Sequence, residues 1–199
     1  MASEYIITLA DPVQIPDLFK KGYLKGRAES RIAFVGRSNV GKSSLINALL
    51  GIRIARVSAT PGKTRAIHFF TWPEKKRIVA DLPGYGFAKV ARAEKMNWSR
   101  LMDAYFEADT ALEGVLMLFD SRHGPTDADL EALDYFSSKG MPIQIVMTKV
   151  DQLKSQSDRA HRKKEAASTL AEFGIAAENL MWVSIKSKEG LKPLKDLFK

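Results

Sequence analysis

The chain has no cysteine. Disulfides and thiolate metal centres are therefore excluded, and the composition suits a reducing, intracellular compartment. No apolar run approaches the roughly 18 residues that a bilayer-crossing helix needs. The opening stretch MASEYIITLADPVQIPDLF has no positive segment leading into an apolar one, so no targeting signal is read there. These absences lead to the expectation of a cytoplasmic protein without a membrane partner. Internal repeats, low-complexity tracts, long Gly/Ser linkers, coiled-coil heptads and a long apolar tail are also missing, which favours a monomer. Acids are in the minority, 23 against 31 Lys and Arg, giving a formal net charge of +8. That balance favours polyanionic partners, nucleic acid first, although a basic surface that is merely solvated has the same composition. With 199 residues the chain suits one domain. The expected division is an arm over residues 1–25 packed on a single domain over 26–199.

Short apolar runs alternate with helical patterns. RIAFVG (31–36), RIVADLPG (77–84), GVLMLFD (114–120), PIQIVMTKVD (142–151) and LMWVSIK (180–186) read as strands buried on both faces, and AIHFFTW (66–72) alternates like an edge strand. Helical segments are expected over 42–50, about 94–110, 126–139, about 157–173 and 190–198. Thr126 is a plausible N-cap and Gly174 a plausible C-cap. This alternation predicts an α/β fold: a mostly parallel six-stranded sheet with one antiparallel edge strand and helices on both faces. Ligands of such sheets bind at the carboxyl ends of the strands. The polar strand ends Gly36, Asp81, Asp120, Asp151 and Ser184 fall there.

GRSNVGKS (36–43) follows a strand and opens a helix, and it fits G-x-x-x-x-G-K-[ST]. In that setting glycines let backbone N–H groups converge on phosphate oxygens, and the helix start adds a positive dipole end. The loop residues Gly36, Arg37, Ser38, Asn39, Val40, Gly41, Lys42, Ser43 and Ser44 are the candidate phosphate site. Lys42 reaches the β- and γ-phosphates, and the Ser43 hydroxyl is suited to Mg²⁺.

TKVD (148–151) ends the next-to-last strand and matches the guanine-reading pattern [NT]-K-x-D. The Asp151 carboxylate can accept from both the N1–H and the N2 amine of guanine, donors that adenine lacks. The Lys149 stem can lie along the ring, and Val150 links the two. Thr148 stands where Asn is commoner, so its hydroxyl must supply the bracing. Val183, Ser184 and Ile185 of VSIKS resemble the loop whose backbone N–H meets the guanine oxygen, though a plain strand end reads the same way. DLPG (81–84), comprising Asp81, Leu82, Pro83 and Gly84, ends another strand. Asp81 can hold Mg²⁺ through a water, and the Gly84 N–H can meet the γ-phosphate. TPGKTRA (60–66) contributes Gly62, Lys63, Thr64 and Arg65, with Thr60 or Thr64 completing the Mg²⁺ shell in the triphosphate state. Together the motifs point to GTP. Lys42, Thr64 and Gly84 are the candidate catalytic residues.

At this point GRSNVGKSSLINAL, TPGKTRAIHFF, DLPGYGFAKV, DSRHGPTDAD and TKVDQL give a resemblance to the EngB (YihA/YsxC) family of bacterial ribosome-biogenesis GTPases, within the translation-factor-related class. The resemblance covers nearly the whole chain. It implies a Ras-like P-loop GTPase fold, binding of GTP or GDP with Mg²⁺, and a role in late assembly of the large ribosomal subunit. It places the triphosphate-sensing threonine at Thr64. It also implies a link to septation and cell division through ribosome supply.

Tyr85 occupies the place where Ras-like enzymes carry a water-positioning glutamine. Intrinsic hydrolysis is therefore expected to be slow and to need help. In related GTPases an asparagine at the place of Asn39 ligates K⁺, which makes Asn39 the candidate K⁺ ligand; the competing role is bracing of the loop. Activation by a group from the ribosome is the other route. Residues 53–77 hold seven basic residues against the single acid Glu74, and RAHRKK (159–164) with Lys186, Lys188 and Lys192 forms a second basic set. Both are candidate rRNA-phosphate surfaces; DNA is not expected. The aromatics Phe69, Phe70, Trp72, Trp98 and Trp182 are read as packing residues. The alternative function is a GTP-switched adaptor for a protein of the division machinery.

Overall fold

A computed structural model describes residues 2–20, 24, 30–53, 66–86 and 92–198. Its strands are β1 (Tyr5–Leu9), β2 (Ser30–Gly36), β3 (Ile67–Trp72), β4 (Arg77–Asp81), β5 (Leu112–Asp120), β6 (Ile143–Thr148) and β7 (Leu180–Trp182). The helices are α1 (Gln14–Lys20), α2 (Lys42–Leu50), α3 (Arg92–Ala108), α4 (Asp127–Ser137), α5 (Gln156–Ala171) and α6 (Leu191–Asp196).

The strands form one sheet in the order β1-β3-β4-β2-β5-β6-β7. Pairings β4–β2–β5–β6–β7 are parallel, whereas β3 is antiparallel to both β4 and β1. The α/β class and the single reversed strand agree with expectation, but the sheet has seven strands rather than six. The extra one comes from the N-terminal arm. β1 lies along β3, so the segment read as an edge strand is internal and β1 takes the edge. The arm satisfies polar groups that an edge would leave to solvent: Glu4 and Thr71 exchange backbone and hydroxyl hydrogen bonds, with Thr71 N to Glu4 O at 2.8 Å and Glu4 N to Thr71 Oγ1 at 2.8 Å.

Period-two alternation buries both faces of the central strands. Ala33 and Val35 of β2 join the core under α1, α3, α4 and α5, while Ile32 and Phe34 join the core with Leu45, Ile46 and Leu49 of α2 and Leu194 of α6. Phe69, Phe70 and Trp72 are buried in these cores, and Trp98 and Trp182 pack against one of them. The arm is fastened by α1, whose Phe19 ring lies 5.2 Å beneath the Arg31 guanidinium. Arg31 Nε donates to Asp109 at 2.5 Å, and both residues are buried.

Helix ends follow local chemistry. Thr126 precedes α4, and the Asp129 carboxylate returns to Thr126 N at 3.0 Å, closing a capping box. Gly174 is left-handed (φ 73°), and the N–H of Ile175 returns to Leu170 O after α5. β7 is shorter than the expected strand over 180–186: Val183 still bonds Met147 of β6, and the chain turns at 185–187.

In-register parallel pairing aligns the carboxyl ends. Phe34 pairs with Asp81, Gly36 with Leu118, and Asp120 with Thr148. The candidate site lies along this edge. Among the described residues no helix is long and apolar enough to cross a membrane.

Candidate functional site

The loop between β2 and α2 carries the phosphate motif. Asn39 (φ 63°) and Gly41 (φ 104°) take left-handed conformations that fold it back over the helix start. No side chain caps the amino end of α2. The N-cap residue Gly41 has no side chain to occupy the first N–H groups, as suits an anion-binding helix start. Lys42 reaches across to pair with the buried Asp81 at the end of β4. Lys42 and Ser43 are the first two residues of α2, so Asp81 pairs with the neighbour of the Ser43 hydroxyl. A carboxylate and a hydroxyl are hard oxygen donors suited to Mg²⁺, so the residues present fit that ion. Among the described residues no cluster of three or more His, Cys, Asp or Glu could hold a metal by itself.

The TKVD segment is joined to this loop by side chains. Thr148 Oγ1 lies 2.7 Å from the Val40 carbonyl and 3.2 Å from that of Phe119. Lys149 Nζ donates to Asn39 O at 2.5 Å and to Asp120 at 2.8 Å, with its own backbone left-handed (φ 60°). Burial opposes the charge on Asp120. Hydrogen bonds from Arg122 and Lys149 outweigh it and bring the carboxyl down to about 2. Ser184 approaches from the next loop, and its hydroxyl donates to Asp151 Oδ1 at 2.6 Å. Ser184 is itself fully buried and accepts from Ser187 N at 3.0 Å. Val183 N bonds Met147 O at 2.8 Å, which carries β6–β7 pairing past β7 and sets Ser184 in place. The phosphate loop, the segment 148–151 and Ser184 are thus one connected assembly.

Gly84 rests on the phosphate loop. A Cβ there would come within 2.8 Å of the Gly36 carbonyl oxygen, so only glycine allows this approach. Pro83 O accepts from Trp98 Nε1 at 3.1 Å. Tyr85 is buried, and its hydroxyl donates to Asp129 Oδ1 at 2.9 Å. Burial, then the negative Asp129, push the Tyr85 pKa well above the ordinary phenol value. The ring that replaces a water-positioning glutamine is turned into the protein against α4.

Gly62, Lys63, Thr64 and Arg65, with Thr60, lie outside the described residues. Of the basic sets, Arg77 pairs with Glu113, Arg159 with Glu189 and Arg162 with Glu165. Lys163 sits 5.7 Å over the Trp182 ring. Three of these arginines are thus locally matched, and Arg53 and Lys76 of the first set and Lys164, Lys186, Lys188 and Lys192 of the second are exposed. Asp120, Asp129 and Trp98 carried no functional assignment in the sequence reading. Asp120 stood out only as a polar strand end, and Asp129 only as part of RHGPTDAD.

Comparison with known proteins agrees with this fold. Residues 31–149 match the family model described as a 50S ribosome-binding GTPase. The probable GTP-binding protein EngB of Thermotoga maritima is 44% identical over 169 residues, covering 85% of each chain. That of Metamycoplasma arthritidis is 40% identical over 170 residues, covering 85% of this chain and 89% of that one. A crystal structure of a probable GTP-binding protein EngB superposes with a TM-score of 0.62 at 23% identity, covering 84% of this chain and 95% of that one. A variant of Aquifex aeolicus Era bound to GDP·AlF4⁻ gives 0.64 at 23% identity, over 84% of this chain and 55% of that one. At these identities the superpositions speak for the fold.

Proposed function

The chain belongs to the EngB family of GTP-binding proteins, and from that premise we propose that it is a slow, Mg²⁺-dependent GTPase that acts as a nucleotide switch in late assembly of the large ribosomal subunit. The observation that carries the guanine part is the hydrogen bond from Ser184 to Asp151 beside the bridge from Lys149 to Asn39 O. It presents the base-reading carboxylate and the phosphate loop as one site. Lys42 balances phosphate charge, and the α2 N–H groups and Gly84 bind phosphate oxygens. Ser43 and Thr64 would hold Mg²⁺ directly and Asp81 through water, and the ion would neutralise charge on the β- and γ-phosphates. Asn39 is the candidate K⁺ ligand, and its side chain is exposed on the loop. Hydrolysis needs an outside contribution, because Tyr85 is turned away into the protein.

The ribosomal part rests on the family description and on the net charge of +8. Co-sedimentation with purified large subunits tests it, using a non-hydrolysable GTP analogue, GDP or no nucleotide across a KCl series. Binding should be strongest with the analogue and fall steeply with salt, as phosphate contacts do. Salt-insensitive capture by a single protein of the division machinery, with no binding to subunits, would replace this reading with the adaptor.

A further inference from the structure

The segment RHGPTDAD leads into α4 outside every nucleotide motif, yet its side chains reach two of them. Asp129 is 2% exposed, and its carboxylate gathers groups from three parts of the chain. Oδ1 accepts from the Tyr85 hydroxyl at 2.9 Å. Oδ2 accepts from Thr126 N at 3.0 Å and Thr126 Oγ1 at 2.7 Å, and lies 3.8 Å from Arg37 Nη1. The same Arg37 nitrogen donates to Thr126 Oγ1 at 3.0 Å. Helix capping explains the contacts within 126–129 and nothing more. It does not require a phenol from the segment after β4 or an arginine from the phosphate loop.

Between those two contributions sits Gly84, one residue before Tyr85 and packed on Gly36. On its other side Pro83 is held by Trp98 of α3, whose ring meets Phe136 of α4 edge-on at 6.1 Å. Gly84 is thus suspended between two fastenings, one at each neighbouring residue. Both fastenings lead to α4.

We propose that Asp129 is a positioning residue for the γ-phosphate side of the site: through the Tyr85 hydroxyl, with Trp98 on Pro83, it holds Gly84 on the phosphate loop and so favours GTP over GDP. This rests on the reading of the chain as a GTPase. GDP lacks the phosphate that Gly84 would meet, so its affinity does not depend on the latch. A buried hydroxyl hydrogen bond to a carboxylate corresponds to about tenfold in an equilibrium.

The test uses the full chain with Mg²⁺ and compares the parent with Tyr85→Phe and Asp129→Asn. Tyr85→Phe removes one oxygen and keeps the ring in its packing, so it remains informative if Asp129→Asn loses the α4 cap and unfolds. Affinities for a non-hydrolysable GTP analogue and for GDP are measured by titration. Tryptophan emission is followed in parallel, with Trp98→Phe identifying the part due to Trp98. The expected result is about a tenfold loss of analogue affinity with GDP affinity within about twofold of the parent. The analogue-induced change in Trp98 emission should shrink as well. A merely structural role would lower both affinities together or neither. An unchanged analogue-to-GDP ratio in Tyr85→Phe overturns the latch. Failure of the parent itself to bind guanine nucleotides overturns the GTPase reading and the latch with it, so the two failures are distinguishable.

Discussion

Replacing Asp120 with asparagine tests whether charge holds the guanine-reading lysine in place. Asp120 ends β5 opposite Thr148. It receives Arg122 through Nε at 2.9 Å and Nη2 at 2.6 Å, and Lys149 Nζ at 2.8 Å. Its carboxyl is lowered from 3.8 to about 2. Nearly two pH units at about 1.4 kcal/mol each correspond to about 2 kcal/mol of stability at neutral pH. The folded-state value lies below the unfolded one. The contribution is therefore complete above about pH 5, and it is lost as pH falls through 4 toward 2. About half of it remains at pH 3. Asparagine keeps the shape and removes the charge. The variant should be about 2 kcal/mol less stable at pH 7, a fall in melting temperature of about 5 °C for a chain of this length. The gap should narrow on acidification. Lys149 would lose its ion pair and keep only neutral acceptors, the amide oxygen of the new side chain and the Asn39 carbonyl, so GDP affinity should also fall. Urea unfolding at pH 7, 5 and 3, with a GDP titration at pH 7, measures both effects. A variant as stable as its parent at pH 7, or a gap that stays constant down to pH 3, would refute the reasoning.

Gly84→Ala places a Cβ 2.8 Å from the Gly36 carbonyl oxygen, and neither backbone atom can rotate away. Overpacking of that kind costs about 1–3 kcal/mol, so affinity for a GTP analogue should drop about tenfold or more while GDP affinity holds. An equal loss for both nucleotides in a titration would remove Gly84 from the γ-phosphate side. Asp109→Ala leaves the buried Arg31 guanidinium without its carboxylate, at a cost of about 3–5 kcal/mol. Thermal unfolding should show a drop of about 10 °C. The double replacement of Arg31 by Met and Asp109 by Leu should recover most of it, and no recovery would mean that the pair is not the cause.

What was legible in the sequence was local. GRSNVGKS, DLPG and TKVD each sit at a strand end with the residue types their chemistry needs, and the central strands announce themselves as continuous apolar runs. β1 was not legible. YIITL is only five residues long, and its partner strand is β3, far along the chain. Because β1 went unseen, β3 was read as an edge. The short β7 was hidden for a related reason. The apolar run continues through Val183, but the backbone leaves the strand to bring Ser184 to Asp151. The contacts of Asp129 were hidden too, since Arg37, Tyr85 and Thr126 meet only when three strand ends are aligned. A capping box is visible in sequence; the phenol that joins it is not.

The side chains divide the site into two mechanical halves. Thr148 and Lys149 fasten the phosphate loop to the base-reading segment through the carbonyls of Val40 and Asn39. These two contacts join the loop to the segment 148–151 without involving Gly84. The other half depends on Gly84, tied through its neighbours to Trp98 and Asp129 rather than to the base-reading segment. On the proposed latch, affinity for the guanine diphosphate core and discrimination for the third phosphate are set by different residues, so either can change while the other stays fixed. The same division bears on rate. With Tyr85 committed to Asp129, the residue following Gly84 offers no polar group to an attacking water. On the proposed function, acceleration enters from the exposed side of the loop, where Asn39 lies, or from a partner. A switch of the kind proposed would spend little of its nucleotide until it meets the surface that completes its site.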